Sequence, residues 1–180
     1  MAAQDHGLSV RAALPGDAAA IAHIHVAAWQ AAYVGIIDAA HLAALSVAQR
    51  EAMWAQAIAK GHPELLLAQD DSEGAMVGWI ALGGCRDAGA PPTRGEIWAI
   101  HVDPAHWSRG VGRLLLQHAR ERLTALGKTE VSLWVLAANQ RAIRFYAAQG
   151  FAPEPGSART ITVAGAPLEE IRQVLPLASW

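Results

Sequence analysis

A mixed, mostly antiparallel central sheet of six to seven strands, flanked by about four helices, is the fold that this 180-residue chain predicts. The class is α/β, of the α+β type. Two observations carry it. Antiparallel hairpin signals are mixed with single crossover helices, which gives a mixed sheet covered on both faces rather than a repeated βαβ wheel. The length then excludes a barrel of eight βα units. No internal repeat and no low-complexity linker appears, so residues 1–180 are read as one domain.

The elements follow in order. Leu8 to Leu14 reads as a strand closed by Pro15-Gly16-Asp17, and Asp17 is placed as the N-cap of a helix to about Tyr33. Val34 to Leu45 is looser, with Gly35 and room for a short helix. Ser46 caps a helix over Val47 to Lys60, which stops at Gly61 with Pro63 beyond. Glu64 to Gln69 and Ala75 to Leu82 are strands joined by the turn residues Asp70-Asp71-Ser72-Glu73-Gly74. After a Gly/Pro-rich loop, Gly95 to Val102 is a strand ended by Asp103-Pro104. Val111, Leu115, Ala119 and Leu123 form one i, i+4 row on a helix over Gly110 to Leu126. Thr129 to Leu136 is a strand and Asn139 to Gln149 a helix ending at Gly150. Phe151 to Ser157 is irregular, and Arg159 to Val163 with Ile171 to Leu175 forms a last hairpin.

Composition narrows the partners. A formal net charge of −2 argues against a nucleic-acid partner that needs a dense basic surface. One cysteine, Cys85, permits no internal disulfide and no thiolate-rich zinc site, which fits a reducing cytoplasm. The opening MAAQDHGLSV carries neither a basic n-region nor an apolar h-region, so no signal peptide is read. The apolar stretch from Ala18 to Trp29 is broken by His23 and His25 and is too short to span a membrane.

The most informative segment runs from Glu96 to Leu114. A strand enters a loop holding Gly110 and Gly112, and the loop opens directly into a helix. Unpaired N–H groups there, added to the helix dipole, make an anion site, and Arg109 and Arg113 can add charge-assisted hydrogen bonds to phosphate oxygens. A dinucleotide fingerprint needs a third glycine where Leu115 stands. A P-loop at Gly127-Lys128-Thr129 would need a glycine at Arg122, and it leaves a helix for a strand, the wrong direction. Both fail. Taken alone, Arg-Gly-Val-Gly also reads as nothing more than a tight connection.

A second segment, Asn139 to Phe151, changes that balance. The two together resemble the GCN5-related N-acetyltransferase (GNAT) superfamily, which moves an acetyl group from acetyl-CoA, usually to an amine. In that family an Arg/Gln-x-x-Gly-x-Gly/Ala loop binds the CoA pyrophosphate and an Asn-x-x-Ala-x-x-Phe-Tyr-x-x-x-Gly-Phe helix lies beside the pantetheine arm. Here the second motif is matched at Asn139, Ala142, Phe145, Tyr146, Gly150 and Phe151. The first is matched at Gly110 and Gly112, but Trp107 stands at its leading Arg/Gln position. The resemblance is specific for about residues 94–151, the expected acetyl-CoA-binding core. The run from Trp29 to Tyr33 also looks like a bacterial GNAT subgroup.

The resemblance implies roles. Acyl transfer to an amine needs a proton acceptor for a group of pKa near ~10.4, a stabilised oxyanion and a proton for the leaving thiolate. Glu96, fourteen residues before Gly110, is the first candidate base, through water, and a solvated or ion-paired strand carboxylate is its structural alternative. His101 is the second, although strand alternation turns it away from Glu96, Trp98, Ile100 and Val102 unless a bulge intervenes. Tyr146 is the expected acid, against the plainer reading of an aromatic core residue beside Phe145. Backbone groups of Ile100 and Val102, the loop residues Arg109, Gly110, Val111, Gly112, Arg113 and Leu114, and Asn139 with Tyr146 are expected to hold acetyl-CoA, with helix capping as the alternative for Asn139. Trp29, Tyr33 and Trp98 are candidates to line an acceptor pocket, whereas Trp54, Trp79, Trp134 and Trp180 are read as packing.

No metal site is expected. His23 and His25 are two apart on a helix, and no carboxylate cluster accompanies His101 and His106. No Gly-x-Ser-x-Gly appears, so covalent hydrolase chemistry is disfavoured. The reading is direct transfer to a small-molecule amine in a ternary complex, with no nucleic-acid or membrane partner. Homodimerisation is a family expectation alone. The rivals are a non-catalytic CoA-binding module, acetylation of a protein or peptide amine, and a nucleotide-binding oxidoreductase.

Overall fold

The computed structural model describes residues 7–177, so Trp180 lies outside the described residues. The chain order is β1 (Leu8–Ala12), α1 (Ala18–Ala32), α2 (Ala39–Ala43), α3 (Val47–Lys60), β2 (Glu64–Asp70), β3 (Ala75–Gly84), β4 (Arg94–Val102), α4 (Val111–Ala125), β5 (Glu130–Leu136), α5 (Gln140–Ala148), β6 (Ala152–Pro153), β7 (Arg159–Val163) and β8 (Ala166–Pro176). The strands form one sheet of eight in the order β1-β2-β3-β4-β5-β8-β6, with β7 also on β8. The eighth strand is the two-residue β6, and the fifth helix is the five-residue α2. Among the described residues no helix is long and apolar enough to cross a membrane.

All strand pairs are antiparallel except β4–β5, and that exception makes the site. β4 and β5 pair only at Arg94–Glu130, Gly95–Val131 and Glu96–Ser132. Beyond that rung they separate, while β4 stays on β3 and β5 stays on β8. The sheet therefore opens like a V at its centre. The N–H of Asp103 donates to Val77 O at 2.9 Å, which fixes the phase of β4. By alternation the backbone groups of Ile100 and Val102 then face the opened edge.

Helices cover both faces. The predicted row of α4 is buried throughout, with Val111, Leu115, Ala119 and Leu123 at most 1% exposed. It packs with Ile97 and Val131 of the sheet and Tyr146 of α5. Burying each such leucine contributes about 1.5–3 kcal/mol. On the opposite face α1 and α3 enclose Ile21, Ile24, Trp54, Leu67 and Trp79. A third cluster joins Ile37 and Leu42 to Leu136, with Trp29, Tyr33, Ile161, Val163 and Leu168 packed against it.

Two helix starts differ in chemistry. Asp17 precedes α1 but does not cap it, because its carboxylate accepts from Leu14 N at 2.7 Å and pairs with Arg11. Ser46 caps α3 as expected, its hydroxyl accepting from Gln49 N at 3.2 Å. Ser46→Ala should cost about 1 kcal/mol of stability, read as a lower urea midpoint at unchanged slope.

A bulge corrects the expected orientation of His101. Ala81 faces Ala99 but Leu82 faces Ile97, so Trp98 is an extra residue on β4. Ile97, Ile100 and Val102 consequently pack on the α4 face. His101 turns to the other face, stacking on His25 and lying edge-on to Trp79. Alternation places Glu96 on that face too.

Candidate active site

Gly110 begins the site. At φ +86° it occupies the left-handed region that favours glycine, and among the described residues no side chain caps α4. The first bond of this helix to be satisfied from the cap is Leu114 N to Gly110 O, so the N–H groups of Val111 and Gly112 precede the helix ladder and can meet a ligand. Gly112 serves packing as well as the cleft it lines. A Cβ there would stand 3.0 Å from Cζ of Phe145, so its lack of a side chain lets α4 pack closely on α5.

From this helix start a cleft of about 610 Å³ runs through the open V. That volume is ordinary for a small-molecule site. It is lined by Ile100, His101 and Val102 of β4, by Gly110, Val111, Gly112 and Arg113, by Asn139 and Tyr146, and by Trp29 and Tyr33. These candidates converge. Arg109 and Leu114 do not line it.

Trp107, the departure from the motif, has a definite role. Its indole N–H donates to the carbonyl of Val102 at 2.9 Å, tying the loop back onto the open strand edge. The Arg141 guanidinium lies 3.5 Å from its ring centroid. Arg141 comes from the first turn of α5 and lines the cleft, and desolvation lowers its pKa. Among the described residues no carboxylate pairs with it. Sequence reasoning missed this residue. The signal available was a cation two positions after Asn139, facing a site already short of one.

Tyr146 is 9% exposed, its ring set between Phe145 and Phe151. Burial pushes its hydroxyl pKa up, and the nearby Tyr33 adds to the shift. The Tyr33 hydroxyl is raised by burial and by the charge of Glu170, with a hydrogen bond from Asn139 pulling the other way. Asn139 also caps α5, accepting from Ala142 N at 3.2 Å, so capping and cleft lining coincide in one side chain. His101 is held neutral, its pKa lowered to about 3 by burial and then by His25 and Arg50.

Two candidates lie elsewhere. Glu96 is 1% exposed on the last paired rung of the V. Its Oε2 accepts from Arg86 N at 2.8 Å, its Oε1 is paired with the Arg86 guanidinium, and it does not line the cleft. This is the ion-paired alternative stated for it. Trp98, displaced by the bulge, donates to Gly84 O at 3.2 Å under the Arg86 guanidinium and is also outside the cleft. Two groups not singled out from sequence replace them as lining residues, Glu170 and the β7 pair Ile161 and Val163. Among the described residues no group of three or more His, Cys, Asp or Glu could hold a metal ion.

Known proteins resemble this chain. The Acetyltransferase (GNAT) family model matches residues 20–151. An uncharacterized N-acetyltransferase of Bacillus subtilis, YuaI, is 30% identical over 164 residues, 91% of this chain and 90% of that protein. A mycothiol acetyltransferase of Beutenbergia cavernae is 38% identical over 94 residues, which are 51% of this chain but only 29% of that longer protein. The PaiA N-acetyltransferase of Thermoplasma acidophilum, solved in complex with coenzyme A, superposes with a TM-score of 0.74 over 94% of this chain and 98% of its own, at 18% identity, and shows the shared fold. With the helix start, the open V and the family match over most of its length, the chain belongs to the acetyltransferase (GNAT) family, whose enzymes use acetyl-CoA as co-substrate.

Proposed function

We propose that this enzyme transfers the acetyl group directly to a small-molecule amine in a ternary complex in the cytoplasm, with Tyr146 as the proton donor to the leaving thiolate. One observation carries this reading above the others. The V opened beyond Glu96–Ser132 joins the start of α4 at one end to a wall holding the rings of Trp29 and Tyr33 at the other. The first end suits the phosphates of CoA and the second suits a compact acceptor.

In this reading the Val102 N–H meets the thioester carbonyl, and Ile100 pairs with the pantetheine amides along the open edge. Trp107 occupies the Val102 carbonyl and presents Arg141 to the phosphates. Glu96 is not kept as the base, because Arg86 holds both of its oxygens. It fixes the β3–β4 connection instead, so Glu96→Gln lowers stability more than it alters the reaction chemistry.

Release of free thiol from acetyl-CoA, assayed across a panel of amines, tests the function. Acetyl-CoA binding without turnover on any amine would favour a CoA-binding module instead. Arg141→Ala should raise the KM for acetyl-CoA about tenfold, the worth of one charge-assisted hydrogen bond. The KM for S-acetylpantetheine, which lacks the phosphates, should not change. Equal effects on both donors would show that Arg141 only packs.

A further inference from the structure

Glu170 of β8 is a cleft carboxylate to which the acetyl-transfer roles above give no work. It is 8% exposed, it sits on the rungs Leu136–Glu170 and Arg159–Glu170, and it lines the cleft. Its Oε1 accepts from Arg159 Nε at 2.6 Å.

That guanidinium is shared. Arg159 also reaches Asp87 at 3.6 Å, Asp87 meets Arg172 at 3.4 Å, and Arg172 pairs with Glu154 at 2.8 Å. Glu154 meets Arg94 at 3.1 Å, and Arg94 ends the run on Glu130 at 2.8 Å. Among the described residues the run holds four carboxylates against three guanidiniums, and Glu170 is its one member lining the cleft. The lining of the same cleft includes Trp29, Tyr33, Ile37, Leu136, Ile161 and Val163. A buried carboxylate of a network with surplus negative charge, among apolar side chains, is stabilised by an incoming cation.

We infer that Glu170 is the subsite for the acceptor's ammonium group, and that the acceptor is a primary amine on a compact apolar or aromatic body without a carboxylate beside the nitrogen. This deepens the acetyl-transfer reading and rests on it. Glu170 takes one proton from the ammonium, leaving a neutral amine. The nitrogen then attacks the thioester carbonyl, the N–C bond forms and the C–S bond breaks. The thiolate takes the Tyr146 proton, and the second proton lost by the nitrogen restores Tyr146. The proton on Glu170 leaves to solvent. Tyr33 stands between the two groups electrostatically, raised by the charge of Glu170 and itself raising Tyr146.

The test uses 2-phenylethylamine, phenylalanine and 2-phenylethanol as probes. The wild-type enzyme should turn over 2-phenylethylamine with a kcat/KM at least about tenfold above that of phenylalanine, whose carboxylate would face Glu170. With CoA bound, the amine should bind more tightly than the isosteric alcohol. Glu170→Gln should raise the amine KM about tenfold or more, leave the acetyl-CoA KM within about twofold, and abolish the preference for amine over alcohol. Glu170→Asp should restore part of that preference. A preference unchanged in Glu170→Gln, or amine and alcohol weakened equally, overturns the inference, as does failure of 2-phenylethylamine and 2-phenylethanol alike to bind. Wild-type protein that neither binds acetyl-CoA nor releases thiol with any amine overturns the acetyl-transfer reading itself.

Discussion

Tyr146→Phe should lower kcat by roughly 10²- to 10³-fold while leaving the Kd of CoA within about twofold. The leaving group is a thiolate of pKa near ~8.5, so the C–S bond breaks more readily when a proton is supplied as it breaks. The hydroxyl of Tyr146 is suited to supply it. Burial raises its pKa and Tyr33 raises it further, so it keeps its proton at neutral pH. The ring is held by Phe145 and Phe151, at centroid distances of 5.4 and 5.8 Å. Phenylalanine keeps that packing and removes only the donor. Thiol-release kinetics with saturating donor measure the loss, and a melting curve shows that the fold is intact. An unchanged kcat would assign the donor to another group and return Tyr146 to a packing role.

The elements most legible in the sequence were those that satisfy their own local rules. The ends of α3 coincide with Ser46 and Gly61, and the buried row of α4 is the row read from the i, i+4 pattern. The helix start at Gly110 and the arrival of Asn139 and Tyr146 in the cleft follow from motifs that are contiguous in the chain. What escaped was set by contacts distant in sequence. The bulge at Trp98 arises where β4 pairs with β3, and it brings His101 onto the same face as Glu96 and carries Trp98 out of the cleft. Glu96 read as a base because nothing local shows that Arg86 will hold it. Glu170 was invisible because its cleft position depends on three strands, β5, β7 and β8, pairing in one register. Trp107 read as a loss because its partners, Val102 and Arg141, lie on separate elements.

Acidification should destabilise this protein well above the pH at which carboxylates titrate, through a pair of histidines in the core beside the cleft. His25 and His101 stack with centroids 5.0 Å apart, and Trp54 Nε1 donates to His25 Nδ1 at 3.0 Å. Burial lowers His25 to about 4 and His101 to about 3, with the Arg50 charge acting on both and His25 on His101. Folded, both imidazoles are neutral at pH 7; unfolded, both titrate near about 6.5. Below that value the unfolded chain binds more protons, so stability is full above it and is lost as pH falls toward the depressed folded values. The slope is about 1.4 kcal/mol per pH unit for each histidine, or on the order of 3–4 kcal/mol for the pair between pH 6.5 and 5. That is a large part of the 5–15 kcal/mol that ordinarily separates folded from unfolded chains. Urea midpoints should change little between pH 7.5 and 6.5 and fall clearly by pH 5.5, and His101→Phe, which keeps a ring against His25 and Trp79, should remove about half of that fall. Midpoints that do not move across this range would mean that the two imidazoles accept protons in the folded state as readily as in the unfolded one, and that the stack opens to water.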